Sequence, residues 1–218
     1  MSYISQNNIL NEFLNLLRNS DILDTTQRNV TTITDSFTSS NTGIETFVLN
    51  KSNAKNIRSV SYDTNSLTYG TDYTIDIDNY SVTLLNVVPG KTIEITYDYG
   101  IGDHIYPDYP RLDLTISSFP RIGFGIYGFT SEIAGFGKVL NSAWRFDVRV
   151  YAISSKQADT MIDALRKVII DNYTSLKYCS YIYPGNVKDL GMYDLQKGKN
   201  KIYVKGIDVF SSNNYEIN

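Results

Sequence analysis

Few residues in this chain have a type and spacing suited to chemistry. His104, the only histidine, stands beside Asp103 and close to Asp108. An imidazole with two carboxylates could ligate a metal or act as an acid–base pair, because histidine titrates near neutrality. A metal site, however, wants three or four ligands at set spacing and a nucleophile wants an activating partner, and neither accompanies this group. A polar turn is the reading these residues favour. Asp76 and Asp78 are at strand spacing and point the same way, which fits a solvated face better than a cation site. Gly135-Phe136-Gly137-Lys138 is glycine-rich, but it lacks the Walker spacing and the Ser or Thr after its lysine. Cys179 is the single cysteine, sits in an alternating apolar segment, and reads as a small buried thiol with no internal disulfide partner. No triad, CxxC pair, dinucleotide fingerprint or deaminase motif occurs. The expectation is a protein that is not an enzyme and holds no cofactor or metal.

One charged group remains. Arg145, Asp147 and Arg149 share a strand face, where alternating signs could pair with a neighbouring strand or with another subunit. Ile133, Phe136 and Lys138 lie in the Gly128–Ser142 connection, fifteen residues that read as a protruding hairpin with apolar residues near its tip. These six residues are the candidate contact positions.

The elements that would carry them form one unit between Phe119 and Asn172. Ile122, Phe124 and Ile126 alternate with Gly123 and Gly125, and Trp144, Phe146, Val148, Val150 and Ala152 alternate with Arg145, Asp147, Arg149 and Tyr151. Both have the period of two that turns one strand face to a core. Ala158, Met161, Ile162, Leu165, Val168 and Ile169 then recur at steps of three and four, which predicts a helix with one apolar stripe. Ser154 followed by Gln157 is a capping-box spacing at its start, with Ile153 placed to staple onto Ala158.

Upstream, Ile9, Leu10, Phe13, Leu14 and Leu17 predict an amphipathic helix from Ser5 to Arg18. Its polar face has almost no Lys or Arg, so packing on the sheet suits it better than membrane binding. Asp21–Gly43 is rich in Thr, Ser, Asn and Asp and reads as a linker. From Ile44 to Tyr99, short β-branched and aromatic strands alternate with turn signals such as Pro89-Gly90. Arg111–Phe119 and Leu176–Tyr183 alternate as strands, and Val187–Asn200 is polar and reads as irregular. In Lys201–Phe210 the apolar phase changes at Gly206, which predicts a β-bulge.

With 218 residues and 42% apolar content, the chain can build one sizeable core plus a smaller inserted one. The net charge of −3 excludes a bulk basic footprint for gripping nucleic acid. No apolar run is long enough to cross a bilayer and no secretory leader opens the chain, so a soluble protein is expected. The 18 tyrosines favour strands and contact surfaces. The expected fold is α+β, a mainly antiparallel sheet backed by two helices, from residues 1–30 and 101–218. A small β-sandwich or β-barrel of residues 31–100 is inserted in it.

The order of these elements resembles the tail terminator and related head-to-tail joining (neck) proteins of long-tailed bacteriophages. The likeness is carried by the N-terminal helix, Phe119-Pro120-Arg121-Ile122-Gly123, the long hairpin, the strand Phe146–Tyr151, the capped helix and two final strands. It covers roughly residues 1–20 and 105–210. It implies a virion structural protein forming a ring with itself, commonly of six copies, that caps the tail tube and meets a neck or head-completion protein. DNA would pass through the lumen without specific binding, no membrane would be involved, and assembly would occur in the host cytoplasm. The inserted strands go beyond the compact family pattern. Readings from other classes are a tail-tube or baseplate subunit, and a carbohydrate- or receptor-binding β module.

Overall fold

The computed structural model describes residues 6–76, 78–107, 109, 119–134, 139–195 and 200–216. Its elements begin with helices α1 (Gln6–Asn19) and α2 (Thr25–Arg28) and strands β1 (Thr31–Thr38), β2 (Gly43–Val48), β3 (Ala54–Tyr62) and β4 (Asn65–Ser66). Next come β5 (Tyr73–Asp76), β6 (Ser81–Val87), β7 (Thr92–Tyr99) and β8 (Ile105–Tyr106). The remainder are β9 (Arg121–Ala134), β10 (Val139–Ala152), α3 (Ser155–Asp171), β11 (Tyr181–Leu195) and β12 (Asn200–Glu216). The fold is mixed α+β with mostly antiparallel sheets. The chain divides into two compact units, Met1–Gln27 with His104–Asn218, and Arg28–Asp103.

In the first unit the sheet runs β11-β12-β10-β9-β8, antiparallel except for the short β8, which lies parallel to β9. Trp144, Phe146, Val148, Val150 and Ala152 of β10 are buried on one face with Ile122 and Phe124 of β9 and Ile207 and Val209 of β12. Both long helices share that core, α1 through Ile9, Phe13, Leu14 and Leu17, and α3 through Ala158, Met161, Ile162, Leu165 and Ile169. The Phe13 ring sits 5.4 Å from Phe124 and 5.5 Å from Phe146. Such aromatic pairs add to the burial of their area.

Polar contacts fix both helices. The Ser154 hydroxyl accepts the Gln157 N–H at 3.2 Å, which satisfies one leftover helix donor, while the Gln157 side-chain oxygen accepts from the N–H of Ile153, the residue before the cap, at 3.1 Å. Ile153 itself stays exposed. On α1, the buried Glu12 carboxylate accepts the Lys177 and Tyr178 N–H groups, and Arg18 donates to the Ile105 carbonyl at 3.0 Å. Burial raises the Glu12 pKa, and those two N–H groups offset only part of the rise.

Two segments depart from the sequence reading. Asp21–Gly43 is no linker, since it holds α2 and β1, and β1 pairs with β7 from Thr31↔Tyr99 to Thr38↔Thr92. Threonine is β-branched and suits a half-exposed strand, and Thr34 and Thr96 hydroxyls bond across the pair at 2.9 Å. The Gly128–Ser142 connection is a hairpin, as read from the sequence, with β9 and β10 paired as far as Ala134↔Val139. Val187–Leu195 belongs to β11 and pairs with β12, with register shifts between Pro184 and Val187 and between Asp189 and Met192. Those shifts break the alternation that would have announced a strand. The Arg111–Ser118 stretch of the expected strand lies outside the described residues.

The bulge expected at Gly206 is absent, since β12 pairs with β10 without interruption from Val139↔Glu216 to Ala152↔Tyr203. The apolar phase changes because the strand is buried on both faces in turn. Ile207 and Val209 face the helices, whereas Ile202 and Val204 face a second small core with Phe119, Tyr151 and Leu190.

The second unit packs the sheet β1-β7-β3-β4 on the sheet β2-β6-β5. Ile57, Val60, Ile93, Ile95 and Tyr97 from one meet Phe47, Val82 and Leu84 from the other, which makes a sandwich. Arg28 and Asp103, the two ends of this unit, are both buried and bonded to each other at 2.6 and 3.2 Å. Arg28 also donates to Asp98 at 2.7 Å and Asn56 at 2.8 Å, and Asp98 accepts from Arg58 at 2.7 Å and Thr32 at 2.6 Å. Burial pushes the Asp98 pKa up, but these donors outweigh it and hold the carboxyl below its ordinary range.

Two substitutions test these cores. Phe13→Ala removes a ring from the helix–sheet contact and is expected to cost about 3–5 kcal/mol in urea unfolding followed by Trp144 fluorescence. Arg28→Ala leaves buried carboxylates without their cation and is expected to cost about 3–5 kcal/mol, read from hydrogen exchange of the β7 amides.

Candidate functional site

The face of the five-stranded sheet opposite the helices is where the charged strand positions come together. On β10 the odd-numbered residues Arg145, Asp147, Arg149 and Tyr151 turn this way, because the even-numbered ones are committed to the helix-backed core. On β12 the same face carries Asp208, directly opposite Asp147 in the register. Both carboxylates are buried. Like charges at facing positions repel, so each must hold a cation.

Each does. Arg145 donates to Asp208 at 2.9 Å, and Lys188 of β11 donates to the other Asp208 oxygen at 2.7 Å. Arg149 donates to Asp147 at 2.8 Å, and the Tyr109 hydroxyl donates to the same carboxylate oxygen at 2.9 Å. The Arg149 guanidinium also lies over the Tyr109 ring, 4.2 Å from its centre. Burial, then the bond to Asp147, raises the Tyr109 pKa, so the phenol stays protonated. Burial pushes the Asp208 pKa up, but Lys188 and Arg145 outweigh it and hold the carboxyl below its ordinary range. Arg145, Arg149 and Lys188 keep 37, 35 and 38% of their side chains in solvent, while the carboxylates lie beneath them.

The charged group continues into an aromatic row. Arg145 lies over the Phe210 ring at 5.8 Å, Phe210 stacks on Tyr183 at 5.2 Å, Tyr183 neighbours Tyr181 at 6.4 Å, and Tyr181 stacks on Tyr173 at 5.8 Å. Phe210 covers Gly185, where an added Cβ would come within 2.6 Å of its ring and 3.1 Å of the Asp208 Cβ. Gly206 has a similar reason, since its missing side chain leaves room for Leu190 at 3.2 Å.

Of the six candidate contact positions, the structure gathers Arg145, Asp147 and Arg149 here and pairs each within its own chain. Phe136 and Lys138 lie outside the described residues, and Ile133 is described by its backbone in β9 alone. Sequence reasoning missed Asp208, Lys188, Tyr109 and the aromatic row. A signal for Asp208 was present, an acid between two apolar residues on a strand.

The other candidates are spent elsewhere. Asp103 is bonded to Arg28, the His104 carbonyl accepts the Ile122 N–H at 2.8 Å, and Asp108 lies outside the described residues. Asp76 accepts the N–H groups of Asp78 and Asn79, both at 3.1 Å, and closes a turn. Cys179 is buried, which pushes its thiol up to about 12 and leaves it unreactive. Among the described residues no group of three or more His, Cys, Asp or Glu is placed to hold a metal, and no helix is long and apolar enough to cross a membrane. No protein-family model matches this chain, and no curated protein matches it.

What the site can do is present a fixed pattern of cations and rings to a partner. Its stability should depend on pH with a definite sign. A carboxyl depressed in the folded state stabilises above its unfolded value of about 3.9 and loses that contribution as pH falls through its folded value. Thermal melting of the wild type is therefore expected to start dropping below about pH 5 and to go on dropping below the ordinary carboxylate value of about 3.9. Asp208→Asn should be less stable at pH 7 by about 1.5–3 kcal/mol and show a shallower acid drop.

Proposed function

We propose that this chain is a structural subunit of a long-tailed phage virion, a tail terminator. Copies close into a ring on the head-proximal end of the tail tube, stop its growth and offer a surface to the neck. The observation that carries this reading is the sheet face just described. Buried carboxylates hold cations in place next to an exposed aromatic row, an arrangement suited to contact. The order α1, β9–β10 hairpin, capped α3, β11–β12 hairpin around an inserted sandwich supports it as well.

The physics of such a protein is surface matching. A ring interface is heterologous, so each copy shows one patch to one neighbour and a different patch to the other, and closure occurs when the rotation per copy divides a full turn. One end of the ring must mimic the tube and the other must lack that face. A net charge of −3 would keep DNA from adhering as it passes. In this reading the β9–β10 hairpin meets the next ring or lines the channel.

Size-exclusion with light scattering, followed by negative-stain images of the protein mixed with phage tail tubes, tests it. A closed ring found on tube ends is the expected result. Stacked tubes of the protein alone would instead indicate a tail-tube or baseplate subunit. A monomer at every concentration that binds arrayed glycans would indicate a receptor-binding module.

A further inference from the structure

Two exposed faces of the chain differ in side-chain type and in charge. The first is the end of the charged sheet face. Tyr173, Tyr181 and Tyr183 are 50, 37 and 44% exposed and lead to Phe210, Arg145 and Lys188. Strand β11 is outermost in its sheet, with no strand beyond it among the described residues. Large rings left in solvent beside ordered cations fit a partner that brings apolar area and negative charge.

The second face belongs to the inserted sandwich. On β2, an outermost strand of the three-stranded sheet, Phe47 turns into the core while Ile44 and Val48 turn outward, 66 and 64% exposed. In the register Val48 faces Ser81 and Ser81 faces Asp76, and the next row is Thr46, Thr83 and Thr74. The Thr46 and Thr83 hydroxyls bond to each other at 2.8 Å. This leaves an outward face on which the exposed aliphatic Ile44 and Val48 stand beside the threonine hydroxyls, with the exposed Asp76 and Asp78 on the far strand and its turn. The Asn79 side chain, with its N–H, holds the Asp76 carboxyl below the ordinary range, so the charge persists.

Charge is divided the same way between the units. Residues 28–103 contain five Lys and Arg against nine Asp and Glu, whereas the rest of the chain contains fifteen against fourteen. Two sheet faces meeting each other would bring cation to cation, and two sandwich faces would bring acid to acid. Unlike faces attract.

We propose that the aromatic and cationic sheet face of one copy seats on the aliphatic and acidic sandwich face of a second copy. This rests on the ring reading above and gives it a heterologous contact, in which the inserted sandwich is the bridge between neighbours.

A complementation experiment tests it. Tyr181→Thr with Tyr183→Thr removes one face, and Ile44→Thr with Val48→Thr removes the other, threonine being chosen to keep strand preference. Each double variant alone is expected to sediment as a monomer where the wild type assembles. An equimolar mixture is expected to form a one-to-one dimer that grows no further, because only one intact contact remains. If either variant assembles like the wild type, or the mixture stays monomeric, the proposed contact is wrong while ring assembly stands. If the wild type itself is monomeric at every concentration, both fail. Should a double variant lose its circular dichroism, the single changes Tyr173→Ser, in a turn, and Val48→Thr replace it. Each is then expected to weaken assembly about tenfold with unchanged melting, and unchanged assembly would again overturn the contact.

Discussion

Two buried carboxylates, Asp147 and Asp208, face each other across the β10–β12 pair, and much of the first unit follows from that juxtaposition. Like charges at facing positions repel unless each is held by a cation. Arg149 answers one, while Arg145 and Lys188 answer the other from two different strands. Those bonds lock three neighbouring strands into one register on this face, while the hydrophobic core locks them on the opposite face. A strand committed on both faces has no freedom to slip, since a shift of one residue would exchange Phe146 and Val148 for charged side chains.

The edge of the sheet is shaped by the same group. For Lys188 to reach Asp208, β11 must come close to β12, and its two register shifts bracket that residue. Gly185 and Gly206 leave the space that Phe210 and Leu190 fill. The shifts also protect a long strand, outermost among the described residues, from simple edge-to-edge pairing. Along β12 the face changes from apolar at Ile202 and Val204, to charged at Asp208, to aromatic at Phe210.

Legibility from sequence followed how local each element's stabilisation is. Helix α3 could be read because its cap and its stripe lie within seventeen residues of one another, and β10 because its alternation is unbroken. Strand β1 could not, since its four threonines are held by β7, some sixty residues later, and only Asp35 within it is buried. Gly206 was misread for a related reason: a change of apolar phase signals a bulge only if one face is buried, and β12 has a core on each. The site was half visible. Its β10 residues stood out by alternating sign, but Asp208, Lys188 and Tyr109 join them through pairings across strands or along loops that one sequence does not display.

The inserted sandwich raises the question of how a host fold carries seventy-six extra residues, Arg28–Asp103, without losing its own register. Two features answer it. The sandwich has its own core, so its strands do not compete for the helices of the first unit. Its first and last residues, Arg28 and Asp103, are bonded to each other, which fixes the points where the chain enters and leaves. Loop closure grows only slowly with length, so once those ends are held together the host experiences little more than a short connection. The sandwich carries an excess of acids, nine against five bases, whereas the rest of the chain is nearly balanced at fourteen against fifteen. In the proposed contact, this difference in charge between the two units supplies the unlike faces that head-to-tail association requires.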